Sequence, residues 1–187
     1  MPLVAAALQK RGHTPSITLT DLYPRTWKSG DNSIRYSPQP VNVLDVPETL
    51  RGLRTMFMAF HHFRPEDARR ILQSAVAARE PIVIFEGTSR CAAAVVSSLF
   101  IPLLVLLVTP AVRPVSLLQL LFTYLIPILP LLIFWDGLVS HLRTYTPAEM
   151  EEMARDCAAS NYRWNTGSIP MRGIPQGLPF LVGIPRD

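Results

Sequence analysis

The sequence predicts an α/β fold with a doubly wound sheet, a C-terminal antiparallel hairpin and an apolar helical insert. Three observations carry this prediction. Residues 52–86 read as strand, polar corner, helix and strand, residues 91–135 contain a single charged side chain, and residues 162–184 hold two strands with no helix between them. Two buried strands joined by a one-faced helix form a βαβ unit, whose crossover we expect to be right-handed.

The first 50 residues predict a helix, two short strands and a loop. An apolar helical stripe over residues 3–8 predicts the helix, and β-branched alternation over residues 16–20 predicts the first strand. Residues 41–46 predict a second strand, and an aspartate follows or ends each of the two. The polar, turn-rich residues 25–40 between them predict a loop.

The βαβ unit is the part of the sequence around which the other elements are arranged. The apolar run over residues 53–60 suits a strand buried on both faces. Pro65 suits a first helical turn, where its missing N–H would be unpaired anyway, and the helix keeps one face apolar. Residues 81–85 form the second strand. Sites in such sheets lie beyond the carboxyl ends of the strands. The residues at those ends are His61, His62 and Glu86.

Residues 91–135 predict an apolar helical hairpin. Each of its charge-free runs is long enough, at about 1.5 Å per residue, to cross a hydrocarbon layer. We interpret the hairpin as membrane-embedded or membrane-dipping, with its turn at residues 109–114. The alternative is a buried helical pair that covers the sheet or lines an apolar pocket. Three prolines favour a shallow or re-entrant hairpin over straight spans. They are Pro102, Pro127 and Pro130.

Charge and cysteine content bound the partners and the compartment. The net charge is +4 and the basic residues are spread along the chain, so nucleic acid is not an expected partner. Arg90 and Arg143 flank the hairpin and predict that its base lies on the cytoplasmic side of a membrane. Cys91 and Cys157 form no spaced motif, and the histidines lack metal-ligand spacing. We therefore expect a cytoplasmic, membrane-associated protein that binds no metal.

The C-terminal part predicts a capped helix and a closing hairpin. Residues 146–149 have the pattern of a capping box, and the helix that follows keeps one face apolar. A strand starts at residues 162–164, a loop rich in proline and glycine spans residues 167–177, and the last strand covers residues 180–184. Two strands joined without a helix form a hairpin, so an antiparallel strand ends the sheet.

Six segments outside the apolar hairpin carry a likeness to a known family. They are ITLTDLYP (17–24), LDVPE (44–48), TMFMAFHHF (55–63), PIVIFE (81–86), YTPAEM (145–150) and FLVGIP (180–185). Their order resembles that of the class I S-adenosylmethionine-dependent methyltransferases, which share a Rossmann-like, three-layer sheet with a terminal antiparallel hairpin. The resemblance implies one methyltransferase-like domain over residues 1–187, with residues 91–135 as an insert.

The resemblance implies two acidic contacts to the cofactor S-adenosylmethionine. Asp21 matches the acid that holds the two ribose hydroxyls, with Leu22 beside it, because a carboxylate accepts both hydroxyl protons. Asp45 matches the acid that accepts from the adenine amine, with Val46 beside the ring. The alternative for each aspartate is that it simply forms a turn before a proline.

The resemblance also implies a catalytic corner after the third apolar strand. Ala59 and Phe60 begin the corner that faces the transferred methyl group. His61 or His62 would act as general base near neutral pH. The alternative is that one histidine packs on the next helix and the other is solvated.

The substrate side is expected to follow the insert. Glu86 would orient the substrate, and its alternative role is to cap a neighbouring backbone N–H. Four further residues would line the substrate side, with interfacial anchoring of the insert as the alternative. They are Asp136, His141, Arg143 and Tyr145.

One part of the family pattern is missing. The family's first strand and Gly-rich loop, which cradles the methionine part of the cofactor, have no counterpart, so we expect a truncated copy with two half-sheets. The implied function is methyl transfer to an apolar or lipid-like small-molecule acceptor, with the present chain a poor cofactor binder or inactive. The alternative is a non-catalytic membrane-associated protein that uses residues 91–135 as an anchor, and an NAD-dependent enzyme of similar topology is a third, weaker option.

Overall fold

The computed structural model describes residues 2–25, 33–157, 162–172 and 174–186. They form a mixed α/β protein, as the sequence predicts, and the chain divides into two compact units, Met1–Arg51 and Gly52–Asp187. The described strands form two separate sheets, one with two strands and one with four.

The unit Met1–Arg51 holds one helix and the two-stranded sheet. Helix α1 is Pro2–Lys10, and strands β1 (Ile17–Leu19) and β2 (Ile34–Tyr36) pair in parallel. The predictions of α1 and β1 are confirmed.

The partner of β1 lies where the sequence predicts a loop. Strand β2 lies within residues 25–40. Its Ile34 is only 3% exposed, and the burial of this apolar side chain stabilises the strand. The predicted strand over residues 41–46 is wrong. Asn42 makes a turn there, because its side-chain oxygen accepts the Leu44 N–H at 3.0 Å and its carbonyl accepts the Asp45 N–H at 3.0 Å. Residues 26–32 of the predicted loop lie outside the described residues.

The unit Gly52–Asp187 is built on a four-stranded mixed sheet in the order β3–β4–β6–β5. Its strands are β3 (Arg54–Phe57), β4 (Ile82–Phe85), β5 (Tyr162–Met171) and β6 (Ile174–Pro185). Strands β3 and β4 are parallel, and β6 is antiparallel to both β4 and β5. The parallel βαβ pair and the antiparallel closing hairpin are therefore confirmed.

Two sequence predictions about these strands are wrong. The expected loop over residues 167–177 largely belongs to β5 and β6, since Gly167 lets the ladder continue: a Cβ there would lie 3.0 Å from the ring of Phe180. Strand β3 is an edge strand of this sheet and leaves Thr55 and Phe57 exposed, so it is not buried on both faces. An apolar run alone does not reveal whether both faces are covered.

The core of this unit lies between the sheet and two helices, α2 (Pro65–Ala78) and α7 (Pro147–Asp156). Its fully buried side chains include Ile71, Leu72, Ile82, Ile84, Met150 and Leu181. Pro65 begins α2 as predicted. The predicted capping box of α7 is confirmed, with Thr146 and Glu149 each bonded to the other's backbone N–H.

Tyr162 gives this core a dependence on alkaline pH. Its hydroxyl donates to the carbonyl oxygen of Glu80 at 2.7 Å, and burial raises the pKa of Tyr162 from its ordinary 10.0 to about 12. The folded state thus holds this proton more tightly than the unfolded state. The resulting stability is fully present below about pH 10 and is lost as the pH rises toward about 12.

We expect the urea midpoint of the protein to fall more steeply between pH 10 and 12 than that of Tyr162→Phe, which cannot ionise at this position. Unfolding curves of both proteins at pH 9 and at intervals above it would measure the difference. A parallel decline of the two midpoints would contradict the assignment.

The apolar insert forms two helical limbs. The first limb is the helix Ala92–Ala111, which has a mean hydropathy of 2.5 and is long and apolar enough to cross a membrane. Only 17% of its most apolar 18-residue stretch is buried. It contains α3 (Ala92–Ser97) and α4 (Ile101–Val108). The second limb joins Leu117–Leu125, which begins with α5 (Leu117–Leu120), to α6 (Ile128–Arg143) with a bend of 77°.

The prolines of the insert act differently from one another. Pro127 precedes α6 at the 77° bend, as predicted. Pro102 and Pro130 lie in the first turns of α4 and α6, where a missing N–H breaks no helical bond. The limbs pack against each other at Gly137, where an added Cβ would lie 2.6 Å from Ile101 Cδ1. The alternative of a buried helical pair is not what the structure has, because most large side chains of both limbs are exposed.

Candidate functional site

A buried histidine–glutamate pair lies where β3 and β4 end. His61 belongs to a 3₁₀ turn after β3, and Glu86 directly follows β4. Glu86 Oε2 lies 2.6 Å from His61 Nδ1, and Glu86 Oε1 accepts the backbone N–H of His61 at 3.1 Å. The two residues are only 4% and 2% exposed. Glu86 therefore caps a backbone N–H, as one alternative expected, and also orients an imidazole ring.

His62 is the exposed member of the histidine pair. Its ring centroid lies 4.2 Å from that of His61. Partial burial, His61 and Arg143 lower the pKa of His62, in that order of strength, while Asp136 and Glu86 raise it by less. His62 is therefore mostly an uncharged imidazole at neutral pH. One packed ring and one surface ring are what the alternative for this pair expects, and the packed ring faces Glu86.

The last turn of α6 joins the hairpin to this corner. Arg143 Nη2 donates to the carbonyl oxygen of His62 at 2.9 Å, and the Tyr145 hydroxyl donates to that of Phe63 at 2.8 Å. The rings of Phe60 and Tyr145 are 5.5 Å apart, and burial raises the pKa of Tyr145. Arg143 and Tyr145 thus contact the backbone of the corner that carries His61 and His62.

The opposite side of the hairpin base is held by polar contacts that sequence reasoning missed. The side chains of Thr88 and Thr144 hydrogen bond to each other, and His141 Nδ1 lies 3.1 Å from the carbonyl oxygen of Ser89. The polar run after β4 is the signal that could have pointed to them. These contacts fix the base of the hairpin beside Glu86.

An ion pair adds to the same attachment. Arg90 Nη2 lies 2.5 Å from Glu149 Oε1. Burial would raise the pKa of Glu149, but hydrogen bonds from Arg90 and Thr146 outweigh burial and hold this pKa below its ordinary value. The start of the first limb is thereby tied to α7.

Asp136 is an exposed carboxylate on the apolar helix α6. Asp136, Ser140 and Arg143 are spaced i, i+4 and i+7, so they share one face of α6. Within the described part of the chain, no hydrogen bond or ion pair to the Asp136 carboxylate is formed, although its charge acts on His62. Ionisable residues on such apolar helices usually mark a functional site.

The expected cofactor residues are divided between the two units. Asp21 Oδ1 accepts the Tyr23 N–H at 2.9 Å, so Asp21 does form a turn. The Val41 N–H donates to the carbonyl oxygen of Asp21 at 2.9 Å, and the turn that carries Asp45 begins one residue later. Both carboxylates are exposed and lie beyond the carboxyl ends of β1 and β2. As acceptors they fit the ribose hydroxyls and the adenine amine of S-adenosylmethionine.

The remaining cofactor positions fit less uniformly. Leu22 is 47% exposed, and Val46 and Ala59 are half-buried. Phe60 is 0% exposed behind Tyr145, so its side chain is a core residue and does not fit a cofactor contact. Among the residues that the structure describes, no group of three or more His, Cys, Asp or Glu side chains could hold a metal ion.

The fold and the site define a mixed α/β protein with a buried imidazole–carboxylate pair at the strand ends and an exposed apolar hairpin attached beside it. Comparison of the sequence with known protein families and with curated proteins gives no match.

Proposed function

We propose that this protein belongs to a methyl-transfer system of the class I, S-adenosylmethionine-dependent type and acts on an apolar or lipid-like acceptor at a membrane. The observation that carries this proposal is the attachment of the hairpin to the catalytic corner. Arg143 and Tyr145, at the end of the second limb, hydrogen bond to the backbone of His62 and Phe63. The second limb of the hairpin therefore ends at the strand-end corner.

The strand arrangement supports a doubly wound, Rossmann-like assignment. Strand β6 lies antiparallel between β4 and β5, the place that the closing strand takes in the resembled family. Strand β1 pairs with β2 in a separate two-stranded sheet, although the resemblance expects its neighbour at residues 41–46. The three-layer arrangement of that fold, with helices on both faces of the sheet, is also part of the proposal.

Each of the two compact units has its own role in this proposal, donor binding in Met1–Arg51 and acceptor activation in Gly52–Asp187. Asp21 and Asp45 hold the ribose and adenine of the donor through their exposed carboxylates. When bound, S-adenosylmethionine supplies an electrophilic methyl group. His61 removes a proton from the acceptor. The residues that border the acceptor are His62, Asp136, His141, Arg143 and Tyr145.

The exposed surface of the hairpin supports a membrane location. Leu104, Leu107, Leu131 and Leu132 are each more than 50% exposed, and Trp135 is 63% exposed. Apolar surface of this extent on both limbs is typical of contact with lipid. An acceptor dissolved in the bilayer would meet the protein at this surface.

The same surface favours a second candidate function. In that reading the protein is a non-catalytic, membrane-associated protein, the hairpin is its anchor, and the α/β part is a scaffold. The buried His61–Glu86 pair is then a structural contact only. The two candidates differ in whether the donor binds.

Calorimetric titration with S-adenosylmethionine separates the two candidates. We expect saturable heat when S-adenosylmethionine is titrated into the protein. Asp21→Asn should weaken donor binding about tenfold or more, because a charged hydrogen-bond acceptor is lost. Glu48→Gln, a change at a nearby exposed acid, is the matched control. The absence of heat from the protein would reject methyl transfer and leave the anchor function.

A further inference from the structure

We infer that Glu86 positions His61 as a proton acceptor for a hydroxyl group, so that this site takes an amphiphilic alcohol or phenol rather than an amine. The inference deepens the proposed function and rests on it for its biological meaning. Its physical basis is the geometry around the buried pair, which needs no donor to be tested.

The hydrogen bonds of Glu86 set the orientation of the imidazole. Both carboxylate oxygens of Glu86 are engaged by one residue, His61, through its backbone N–H and through Nδ1. A carboxylate accepts and cannot donate, so Nδ1 carries the ring proton that points to Glu86. The other nitrogen, Nε2, then holds a lone pair. Within the described residues nothing hydrogen bonds to Nε2.

The contact between His61 and Glu86 is buried and does not lie at the protein surface. Glu86 is 2% exposed, and an ionised carboxylate at such a site is stabilised only by the groups that face it. If His61 gains a proton on Nε2, the carboxylate faces a full positive charge at 2.6 Å from Nδ1 instead of a neutral ring. The Glu86 carboxylate would thus face the imidazolium that forms when Nε2 takes up a proton.

The charged groups around the pair favour an oxygen anion over an ammonium group. His61 is faced by Glu86 from the end of β4 and by His62 from its own turn, and Arg143 and Asp136 approach the same corner from α6. Arg143 is held at this corner by its 2.9 Å hydrogen bond to the His62 carbonyl oxygen. The guanidinium stabilises negative charge on an acceptor oxygen and repels a protonated amine.

The neighbours on α6 indicate that the hydroxyl belongs to an amphiphile. Leu132, Trp135 and Leu142 are 57%, 63% and 50% exposed and alternate along α6 with Asp136 and Arg143. A polar head at the corner would therefore continue into an apolar tail along the second limb. A water-soluble acceptor without an apolar tail would leave this apolar surface uncovered.

The proton step balances within the pair and the acceptor. The acceptor O–H bond breaks, its proton goes to His61 Nε2, and the electron pair remains on the oxygen. The imidazolium is held by the Glu86 carboxylate, and Arg143 faces the new oxygen anion.

A chromophoric phenol tests the inference without any methyl donor. The probe is 4-nitrophenol with a long alkyl chain at the ring, added to the protein in neutral detergent, and its ionisation is followed by absorbance. We expect bound probe to ionise with an apparent pKa at least one unit lower than in protein-free micelles. His61→Gln and Glu86→Gln should abolish this shift, because an amide at residue 86 can donate to Nδ1 and place the ring proton on Nε2.

His13→Gln, a change at an exposed histidine that has no role in this site, is the matched control and should keep the shift. Equal ionisation with His61→Gln, or no shift with the unmodified protein, would overturn the inference. An alkylamine of the same chain length that displaces the phenol with equal or higher affinity would overturn the preference for oxygen. Circular dichroism of each variant excludes loss of fold as the cause. Failure of the donor titration, by contrast, would remove methyl transfer and leave a positive result here intact.

Discussion

Replacing Leu104 by aspartate is expected to move the protein from the membrane fraction to the soluble or aggregated fraction. Leu104 lies on the helix Ala92–Ala111 and is 57% exposed. A charged residue near the centre of a membrane helix costs about 2.5 to 3.5 kcal/mol, which corresponds to a change of roughly 100-fold in partition. Leu132→Asp, on the second limb with the same 57% exposure, is expected to act in the same direction.

The control for this prediction lies outside the hairpin. Leu53 is 58% exposed, so Leu53→Asp changes the same side chain at the same exposure and should leave sedimentation with phospholipid vesicles unchanged. The measurement is vesicle co-sedimentation of the three variants, with circular dichroism of each. Identical sedimentation of all three variants would mean that the hairpin does not enter the bilayer, and both candidate functions would lose their membrane component.

The second large effect is expected at the buried pair. His61→Leu should lower the free energy of unfolding by about 3 to 5 kcal/mol, because it leaves the Glu86 carboxylate buried without the ring that faces it. The double variant His61→Leu/Glu86→Leu should recover a large part of this loss, since it removes the unpaired charge as well.

His62→Leu provides a neighbouring control for this stability measurement. His62 is exposed and its side chain has no hydrogen-bond partner within the described residues, so its replacement should cost less than about 1 kcal/mol. Urea unfolding of the four proteins in the same detergent gives the comparison. A double variant no more stable than His61→Leu would show that the cost arises from packing rather than from an unpaired charge.

The sequence correctly located the elements that are stabilised by residues close to one another in the chain. Pro65 at the start of α2 and the capping pair Thr146 and Glu149 are satisfied within one helical turn, so sequence spacing alone was enough to place them. Strand β4 was also located from the sequence, because it is a continuous apolar run in which every second side chain is buried. Signals that depend on distant partners were less reliable. The run over residues 41–46 looks like a strand, but Asn42 folds it into a turn, and Ile34 supplies the partner of β1 instead.

The candidate site shows the same division. Sequence position placed His61, His62 and Glu86 at strand ends, because the parallel pairing of β3 and β4 follows from the βαβ pattern. It did not distinguish the two adjacent histidines. Their separation into a buried ring against Glu86 and an exposed ring depends on the 3₁₀ turn at residues 60–62 and on how α6 packs against it.

The sequence by itself determined which parts this protein has: a βαβ unit, a capped helix, a closing hairpin and an apolar insert with a single charged side chain over residues 91–135. These follow from residue type and spacing over a few turns or strands. Only the tertiary structure decided that the base of the insert is fixed to the strand-end corner by Arg143, Tyr145 and His141. Those bonds join residues more than 50 positions apart, and hydrogen bonds over such separations exist only once the chain has packed.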